Sequence, residues 1–260
     1  MNHSKALPLS LIVAVLGVGS IVAANGLLAA PSADKGPNYS YKEVQAAVAS
    51  QPTPLDNSLP SEEELAEVVA GMTRQQATIA QHLPLAEHPE AIEKKYERLG
   101  GERGKLGKPL TRIVEAGDGG AKAVYEHGML YWSPRTGAHA MYNEFLIKFI
   151  LLGGESGLLG MPTTDVEKVG SGARQGFEQA TWLYSAQDSG IHYIGGRIHE
   201  RWQRLGGVDS EFGFPGSDIM NVSAETSGKY DRAVLFGDSL AILSNSRTGE
   251  VGEASFGGAG

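Results

Sequence analysis

Cysteine is absent from this chain of 260 residues. Its absence excludes a disulfide-stapled scaffold, a cysteine nucleophile and a lipid anchor attached through cysteine. The chain also has no Gly-x-Ser-x-Gly segment, so it lacks the nucleophile elbow of α/β-hydrolases. The chain has no excess of basic residues, since its formal net charge is −8. We therefore expect no basic face for nucleic acid. None of these absences excludes export.

Glycine is abundant, and much of it belongs to a signature that recurs three times at a constant spacing of 53 residues. Each copy joins a Leu-Gly-Gly segment to a Leu/Phe-Gly-x-Pro segment. The copies are Leu99-Gly100-Gly101 with Leu106-Gly107-Lys108-Pro109, Leu152-Gly153-Gly154 with Leu159-Gly160-Met161-Pro162, and Leu205-Gly206-Gly207 with Phe212-Gly213-Phe214-Pro215. Self-similarity at a fixed period indicates one structural unit copied in tandem. It argues against an ordinary catalytic domain, whose site is built once from unlike parts.

Apolar residues before each glycine pair predict a short helix. Ile92, Tyr96 and Leu99 have the spacing of one helix face, and the same columns recur 53 and 106 residues later. Glycine is suited to ending such a helix. After each proline the sequence indicates strands and tight turns. We predict an α+β fold of tandem repeats, stacked or ring-like, in which each repeat is a short helix, a Gly-Pro loop and a small antiparallel β-meander.

The remaining segments divide the chain further. Residues 1–30 are predicted to be an export signal, or a membrane anchor if uncleaved, which places the repeats outside the cytoplasmic membrane. Residues 31–60 are interpreted as a proline-rich, flexible linker. Residues 61–91 are predicted to form a helical spacer or cap that starts at Ser61. The repeats occupy about 92–144, 145–197 and 198–251, and residues 252–260 are predicted to be a loose glycine-rich tail.

These features resemble the LGFP repeat proteins of mycolic-acid-bearing actinobacteria. The tetrapeptide Phe212-Gly213-Phe214-Pro215 carries the resemblance most directly, and Lys108 and Met161 depart from it. The segments Leu130-Tyr131-Trp132-Ser133 and Thr136-Gly137-Ala138-His139 are also similar to the family pattern. The resemblance covers about 92–251. It implies association with the cell wall, with the arabinogalactan–peptidoglycan network as ligand.

Aromatic residues concentrate in the repeats and offer candidate ligand contacts, because sugar faces stack on Trp and Tyr. Tyr96, Phe149 and Trp202 are expected in the core, since they lie on the helix stripes. Six other residues are candidate ligand contacts: Tyr131, Trp132, His139, Trp182, Tyr184 and His192. Strand alternation places Tyr131 and Trp132 on opposite faces, whereas Trp182 and Tyr184 share one. The alternative is core packing for the aromatics and a structural hydrogen bond for the histidines.

Other motifs favour structural roles. Gly237-Asp238-Ser239-Leu240 spells a serine-esterase motif, but no histidine follows it, so we expect a turn. Asp165 and Asp218 occupy equivalent loop positions, where they are expected to cap the loop. We expect no metal site, because zinc needs three or four convergent ligands, and the sequence indicates no cofactor.

The sequence therefore predicts an exported, non-catalytic protein that binds cell-wall polysaccharide through its repeats. Several weak contacts on one body would supply avidity without a deep pocket. Two alternatives stay open at this point. One is a protein-interaction subunit that tethers an envelope complex, and the other is a secreted esterase whose nucleophile is Ser239. Contact with a membrane is expected only through residues 7–30, if they are uncleaved.

Overall fold

A computed structural model describes residues 38–40, 58–117, 119–223, 230–237 and 239–255. The predicted export signal (1–30), most of the predicted linker, Asp238 of the esterase-like motif and residues 256–260 lie outside the described residues. Within them, strand β1 comprises Asn38–Ser40. It is followed by helix α1 over Glu62–Ala80 and helix α2 over Glu90–Arg98.

Helix α1 begins where the sequence predicted. Ser61 and Glu64 form a reciprocal capping box, in which the Ser61 hydroxyl accepts from the Glu64 N–H and the Glu64 carboxylate accepts from the Ser61 N–H. Leu65, Val68, Val69 and Met72 are buried along one face. The helix packs on strands Ala121–Tyr125 and Gly128–Ser133 of repeat one and on the helix Asn143–Leu151 of repeat two, and the Thr73 hydroxyl donates to the Glu126 carbonyl. The helix therefore covers part of both repeats.

Each repeat contributes one helix and one antiparallel meander. In repeat one, α2 precedes strands β2 (Val114–Glu115), β3 (Ala121–Tyr125), β4 (Gly128–Ser133) and β5 (Gly137–Tyr142). Repeat two has helix α3 (Asn143–Leu151) and strands β6 (Glu167–Val169), β7 (Gly172–Phe177), β8 (Thr181–Ala186) and β9 (Gly190–Gly195). Repeat three has helix α4 (Gly196–Arg204) and strands β10 (Met220–Ser223), β11 (Arg232–Phe236), β12 (Leu240–Ser244) and β13 (Val251–Ser255).

The glycine pair ends each helix as predicted. Gly100, Gly153 and Gly206 have φ values of 96°, 99° and 108°, in the left-handed region that favours glycine. The following glycine opens a single 3₁₀ turn in every copy. Three copies of one local conformation, 53 residues apart, confirm the α+β class and the tandem repetition.

Two expectations at the ends of the chain need correction. Residues 38–40 were expected within a flexible linker, but β1 pairs in parallel with β10 and becomes an edge of the third sheet. Residues 252–255 were expected in a loose tail, but they belong to β13, which pairs with β12. With β13, the meander of repeat three has four strands, as the sheets of repeats one and two have. The sequence did not reveal β13 because the turn between Ser244 and Val251 is longer than the equivalent turns in the other repeats.

The chain divides into two compact units. The first comprises residues 60–167 and 174–179, and the second comprises 168–173 and 180–255 together with β1 and residues 58 and 59. The core of the first unit is built around Ile92, Leu106, Tyr125 and Leu130. The core of the second contains Tyr184, Ile198, Trp202, Phe236 and other buried apolar residues. The apolar helix faces predicted from the sequence thus lie in these cores.

Candidate functional site

Several repeat aromatics hold the fold together. In repeat one the Tyr96 hydroxyl donates to the Gly107 carbonyl at 2.7 Å, and in repeat three the Trp202 indole N–H donates to the Gly213 carbonyl at 3.1 Å. The Tyr96 ring stacks on Tyr125, with centroids 4.5 Å apart. Phe149 packs on Phe177, and Trp202 packs on Phe236. Phe149 and Trp202 are buried core residues as predicted, whereas Tyr96 is half-buried and packs against the core. The bonds of Tyr96 and Trp202 fix the Gly-x-Pro loop to its helix.

A glutamate braces the Gly-x-Pro loop in the first two repeats. The Glu126 carboxylate accepts from the Lys108 N–H at 2.9 Å, and the Glu178 carboxylate accepts from the Met161 N–H at 3.0 Å. A Cβ on Gly107 would lie 2.7 Å from the Glu126 carboxylate. Glycine is therefore required there by the close approach as well as by a φ of 72°.

The two predicted histidines lie where consecutive repeats meet. The Nε2 atoms of His139 and His192 each lie 2.7 Å from a backbone carbonyl, of Thr136 and Ser189 respectively. A carbonyl only accepts, so Nε2 carries the proton. The Nδ1 atoms face the next repeat, 3.5 Å from Asp165 and from Asp218 respectively. We call these contacts the first junction (His139 with Asp165) and the second junction (His192 with Asp218).

Both aspartates also bond to the backbone across their junction. Asp165 accepts from the Ala140 N–H and Asp218 accepts from the Tyr193 N–H, each at 3.0 Å. Lys95 pairs with Asp165 as well. Burial alone would raise the pKa of the Asp165 carboxyl, but the bonds from His139, Lys95 and the Ala140 N–H outweigh burial and hold that pKa well below its ordinary value. The loop-capping role predicted for the aspartates therefore becomes a link between repeats.

Three predicted ligand contacts are corrected by their burial. The His192 side chain is 1% exposed and is occupied by the second junction. Tyr131 and Tyr184 are also buried, because each points from its strand onto the helix that follows, Tyr131 against Phe149 and Tyr184 against Trp202. Burial removes all three from contact with a ligand at the surface.

Trp132, Trp182 and His139 remain half-buried. Trp132 packs on the core of the first unit and meets the exposed His88 edge to face, with centroids 6.0 Å apart. The His139 imidazole already serves the first junction. Trp182 packs on the core of the second unit in the same way, and its indole also contacts the rings of Tyr184 and His199.

The Trp182 cluster comprises Trp182, Tyr184, His199 and Gln203, all in the second unit. The His199 imidazole stacks on the Trp182 indole at 5.8 Å with an interplanar angle of 25°. The His199 Nε2 atom lies 3.0 Å from the Tyr184 hydroxyl, which accepts from the Gln203 amide at 3.0 Å. The Gln203 residue is exposed, and Trp182 and His199 are half-buried. The cluster thus presents aromatic area beside a side-chain amide, without a carboxylate or a guanidinium among its members.

His199 and Gln203 were not among the residues proposed from the sequence. Helix α4 carries them one turn apart, so they lie on one face. The signal that was missed is a break in the repeat columns, because Leu146 and Ile150 stand 53 residues earlier, where His199 and Gln203 would be. Where a position is apolar in one repeat and polar in the next, the surface around it differs between the two repeats.

The other motifs gain no chemistry from the structure. Ser239 lies in the turn between β11 and β12, as predicted. Nowhere in the described ranges do three histidine or acidic side chains come together as metal ligands would. In the part of the chain that the structure describes, no helix combines the length and the apolar character needed to cross a bilayer.

Comparison with known proteins supports the repeat assignment. The family described as the LGFP repeat matches the chain twice in tandem, over residues 106–157 and 159–210. No curated protein matches the chain significantly. The two matched segments follow each other with the period read from the glycine signature. Residues 106–210 of this chain therefore carry two tandem LGFP repeats.

Proposed function

We propose that this chain is an exported, non-catalytic repeat protein of a mycolate-type cell envelope, and that it binds wall polysaccharide. The proposal rests on the Trp182 cluster, where a half-buried indole stacks on His199 and the amide of the exposed Gln203 lies 3.3 Å from the same imidazole. Sugars are bound by such pairs, because the ring face packs on the aromatic surface while hydroxyl groups bond to the polar side chain. Wall arabinogalactan and peptidoglycan, the ligands implied by the repeat family, carry such faces.

Export is supported by the first 30 residues. A basic residue precedes an apolar stretch, and small residues follow it, as in a secretory signal. The absence of cysteine fits a protein that needs no disulfide outside the cell. Mass spectrometry of the mature N-terminus tests this part of the proposal. A mature chain that starts near residue 25 or 31 is expected, and an intact Met1 in a cytoplasmic fraction would contradict it.

Binding is tested by sedimentation of the purified protein with insoluble wall polysaccharide. The wild-type protein and the Leu158→Ala variant are expected to sediment, because Leu158 is an exposed apolar side chain outside the Trp182 cluster. The Trp182→Ala variant is expected to lose about tenfold in affinity, since an aromatic contact of this size contributes about 1.4 kcal/mol. Circular dichroism checks that the variant is folded.

Two results would contradict the proposal. Capture of the chain by membrane extract but not by wall polysaccharide would favour the protein-interaction alternative. Hydrolysis of ester substrates that disappears in the Ser239→Ala variant would show an enzyme. We expect neither, because the serine-esterase motif of this chain lies in a turn and has no histidine after it.

A further inference from the structure

We propose that the residues described by the structure hold one glycan site, the Trp182 cluster, and that this site binds one neutral, hydroxyl-rich sugar ring. This inference rests on the proposed wall binding. The sequence led us to expect several equivalent contacts along the repeats. The structure instead favours one site, formed by strand β8 of repeat two and helix α4 of repeat three.

The same columns one period earlier carry no such site. Met129, Leu146 and Ile150 stand 53 residues before Trp182, His199 and Gln203. Met129 and Leu146 are fully buried. The Tyr131 hydroxyl, which corresponds to that of Tyr184, lies 3.3 Å from the Met129 sulfur instead of bonding to a histidine. The same positions therefore carry apolar, mostly buried side chains in the first unit. In the second unit they carry polar and aromatic side chains that are partly exposed to solvent.

Helix α1 distinguishes the two positions. It packs on α3, β3 and β4 in the first unit, with its apolar face buried. Leu146 of α3 is fully buried there, and Ile150 is half-buried. In the second unit, Gln203 stays exposed and His199 half-buried at the corresponding places.

Repeat three supplies no further copy. A site of this kind needs a sheet and the helix of the following repeat, as β8 and α4 show. After the third sheet no helix follows within the residues that the structure describes, which end at Ser255. Within the described residues there are therefore two such positions, and helix α1 packs on the elements that carry the first of them.

The chemistry of the cluster defines the ligand class. It contains the half-buried Trp182 and His199 rings, and the exposed Gln203 carries an amide that can bond to hydroxyl groups. The absence of a carboxylate or a guanidinium within the cluster favours an uncharged polyol over a sugar acid or a phosphate. Arabinogalactan and the glycan strands of peptidoglycan both present such rings.

The experiment replaces His199 and Gln203 by the residue types that stand 53 positions earlier, at Leu146 and Ile150. We would titrate the full chain with arabinogalactan oligosaccharides in one arm and with peptidoglycan glycan fragments in the other, by isothermal calorimetry. The wild-type protein is expected to bind one equivalent of one of these ligands. The His199→Leu and Gln203→Ile variants are expected to lose at least tenfold in affinity. The Glu200→Ala and Arg204→Ala variants serve as matched controls, since both side chains are exposed on the same helix, and they are expected to change affinity less than twofold.

The outcomes separate this inference from the proposed function. A stoichiometry of two or more, or unchanged affinity in both folded cluster variants, would overturn the single site while leaving wall binding intact. Failure of the wild-type protein to bind either glycan, in solution or in the sedimentation experiment, would overturn wall binding and the site with it. Loss of affinity in the Glu200→Ala and Arg204→Ala controls as well would also refute the site, because binding would then depend on the helix surface in general.

Discussion

The carboxylate of each junction aspartate contacts both a histidine and a backbone N–H of the preceding repeat. Asp165 accepts from the Ala140 N–H and faces both His139 and Lys95, although its side chain is 40% exposed. The equivalent Asp218 faces His192 and accepts from the Tyr193 N–H, and its side chain is 16% exposed. Hydrogen bonds to a charged group gain strength as water is excluded. The second junction therefore depends more on its carboxylate than the first.

Substituting these aspartates tests that ranking. The Asp165→Asn variant is expected to lose about 1–2 kcal/mol of unfolding free energy, because partial exposure weakens its charge-assisted bonds. The Asp218→Asn variant is expected to lose more, about 2–3 kcal/mol. Urea denaturation measures both. The control is Glu167→Gln, whose ion pair with Arg174 is exposed and contributes about 0.5 kcal/mol or less. Equal losses in all three variants would contradict the ranking.

The depressed pKa of Asp165 also sets a pH dependence. A carboxyl whose pKa is lower in the folded than in the unfolded protein stabilises the fold above its unfolded value, here about 3.8, and loses that contribution as the pH falls further. The wild-type protein is therefore expected to lose unfolding free energy more steeply than Asp165→Asn below about pH 4. Parallel curves from pH 6 to pH 2.5 would show that the carboxylate is not selectively stabilised.

At the scale of an element, Gly153 at the end of α3 is constrained both in conformation and in space. Gly153 has a φ of 99°, and a Cβ there would lie 2.9 Å from the Gly157 Cα. Any other residue is destabilising here for two reasons. The left-handed conformation costs an L-residue about 1 kcal/mol, and the backbone at Gly157 would have to move away from the added Cβ. The helix and the Gly-x-Pro loop are thus joined by a turn that only glycine fits without strain.

We expect Gly153→Ala to lower the unfolding free energy by about 1–3 kcal/mol. Gly71→Ala is the matched control, since Gly71 lies inside helix α1 and a Cβ there would meet nothing within 4 Å. This second variant is expected to stabilise the protein by about 0.5–1 kcal/mol, the helix preference of alanine over glycine. Thermal denaturation of both variants tests the pair. Destabilisation by Gly71→Ala would refute the assignment of strain to position 153.

Periodicity made the elements predictable, and its breaks were the places where prediction failed. The apolar stripe through Ile198, Trp202 and Leu205 and the glycine pair behind it fixed α4, because both are local signals. Strand β13 was missed because its register depends on pairing with β12 across a longer turn. The junction partners of His139 and His192 were missed for a similar reason, since a histidine 26 residues from its aspartate leaves no local signal.

The Trp182 cluster was half predicted. Strand alternation identified the shared face of Trp182 and Tyr184 but left open whether that face is buried. The answer depends on residues from the next helix, His199 and Gln203, and their polarity depends on whether another helix lies above them. Burial of this kind follows from packing between distant segments, which single-sequence patterns do not encode.

On the scale of the whole molecule, helix α1 makes repeat one unlike the others. Its face of Leu65, Val68, Val69 and Met72 is buried against the first unit, and the fully buried Thr73 donates to the Glu126 carbonyl. Terminal repeats need such a cover, because an outer apolar face would otherwise meet water. The acidic helix before the repeats is thus an integral part of the first unit.

Truncation of that face tests its contribution. The Met72→Ala variant is expected to lose about 2–4 kcal/mol of unfolding free energy, from lost burial and an added cavity. Hydrogen exchange is expected to rise for α1, α3, β3 and β4, which pack together. The control is Gln75→Ala, an exposed position on the same helix, for which a change within about 0.5 kcal/mol is expected. Unaltered exchange in α3 with Met72→Ala would show that α1 does not stabilise repeat one.

The junctions also bear on how a gene for such a chain can grow or shrink. Each histidine belongs to one copy and its aspartate to the next, and the two stand 26 residues apart in both cases. Unequal crossing-over that removes one full period would bring His139 next to Tyr193 and leave Asp218 at the same separation. The copy number can therefore change in evolution while every remaining interface keeps a matched pair of partners.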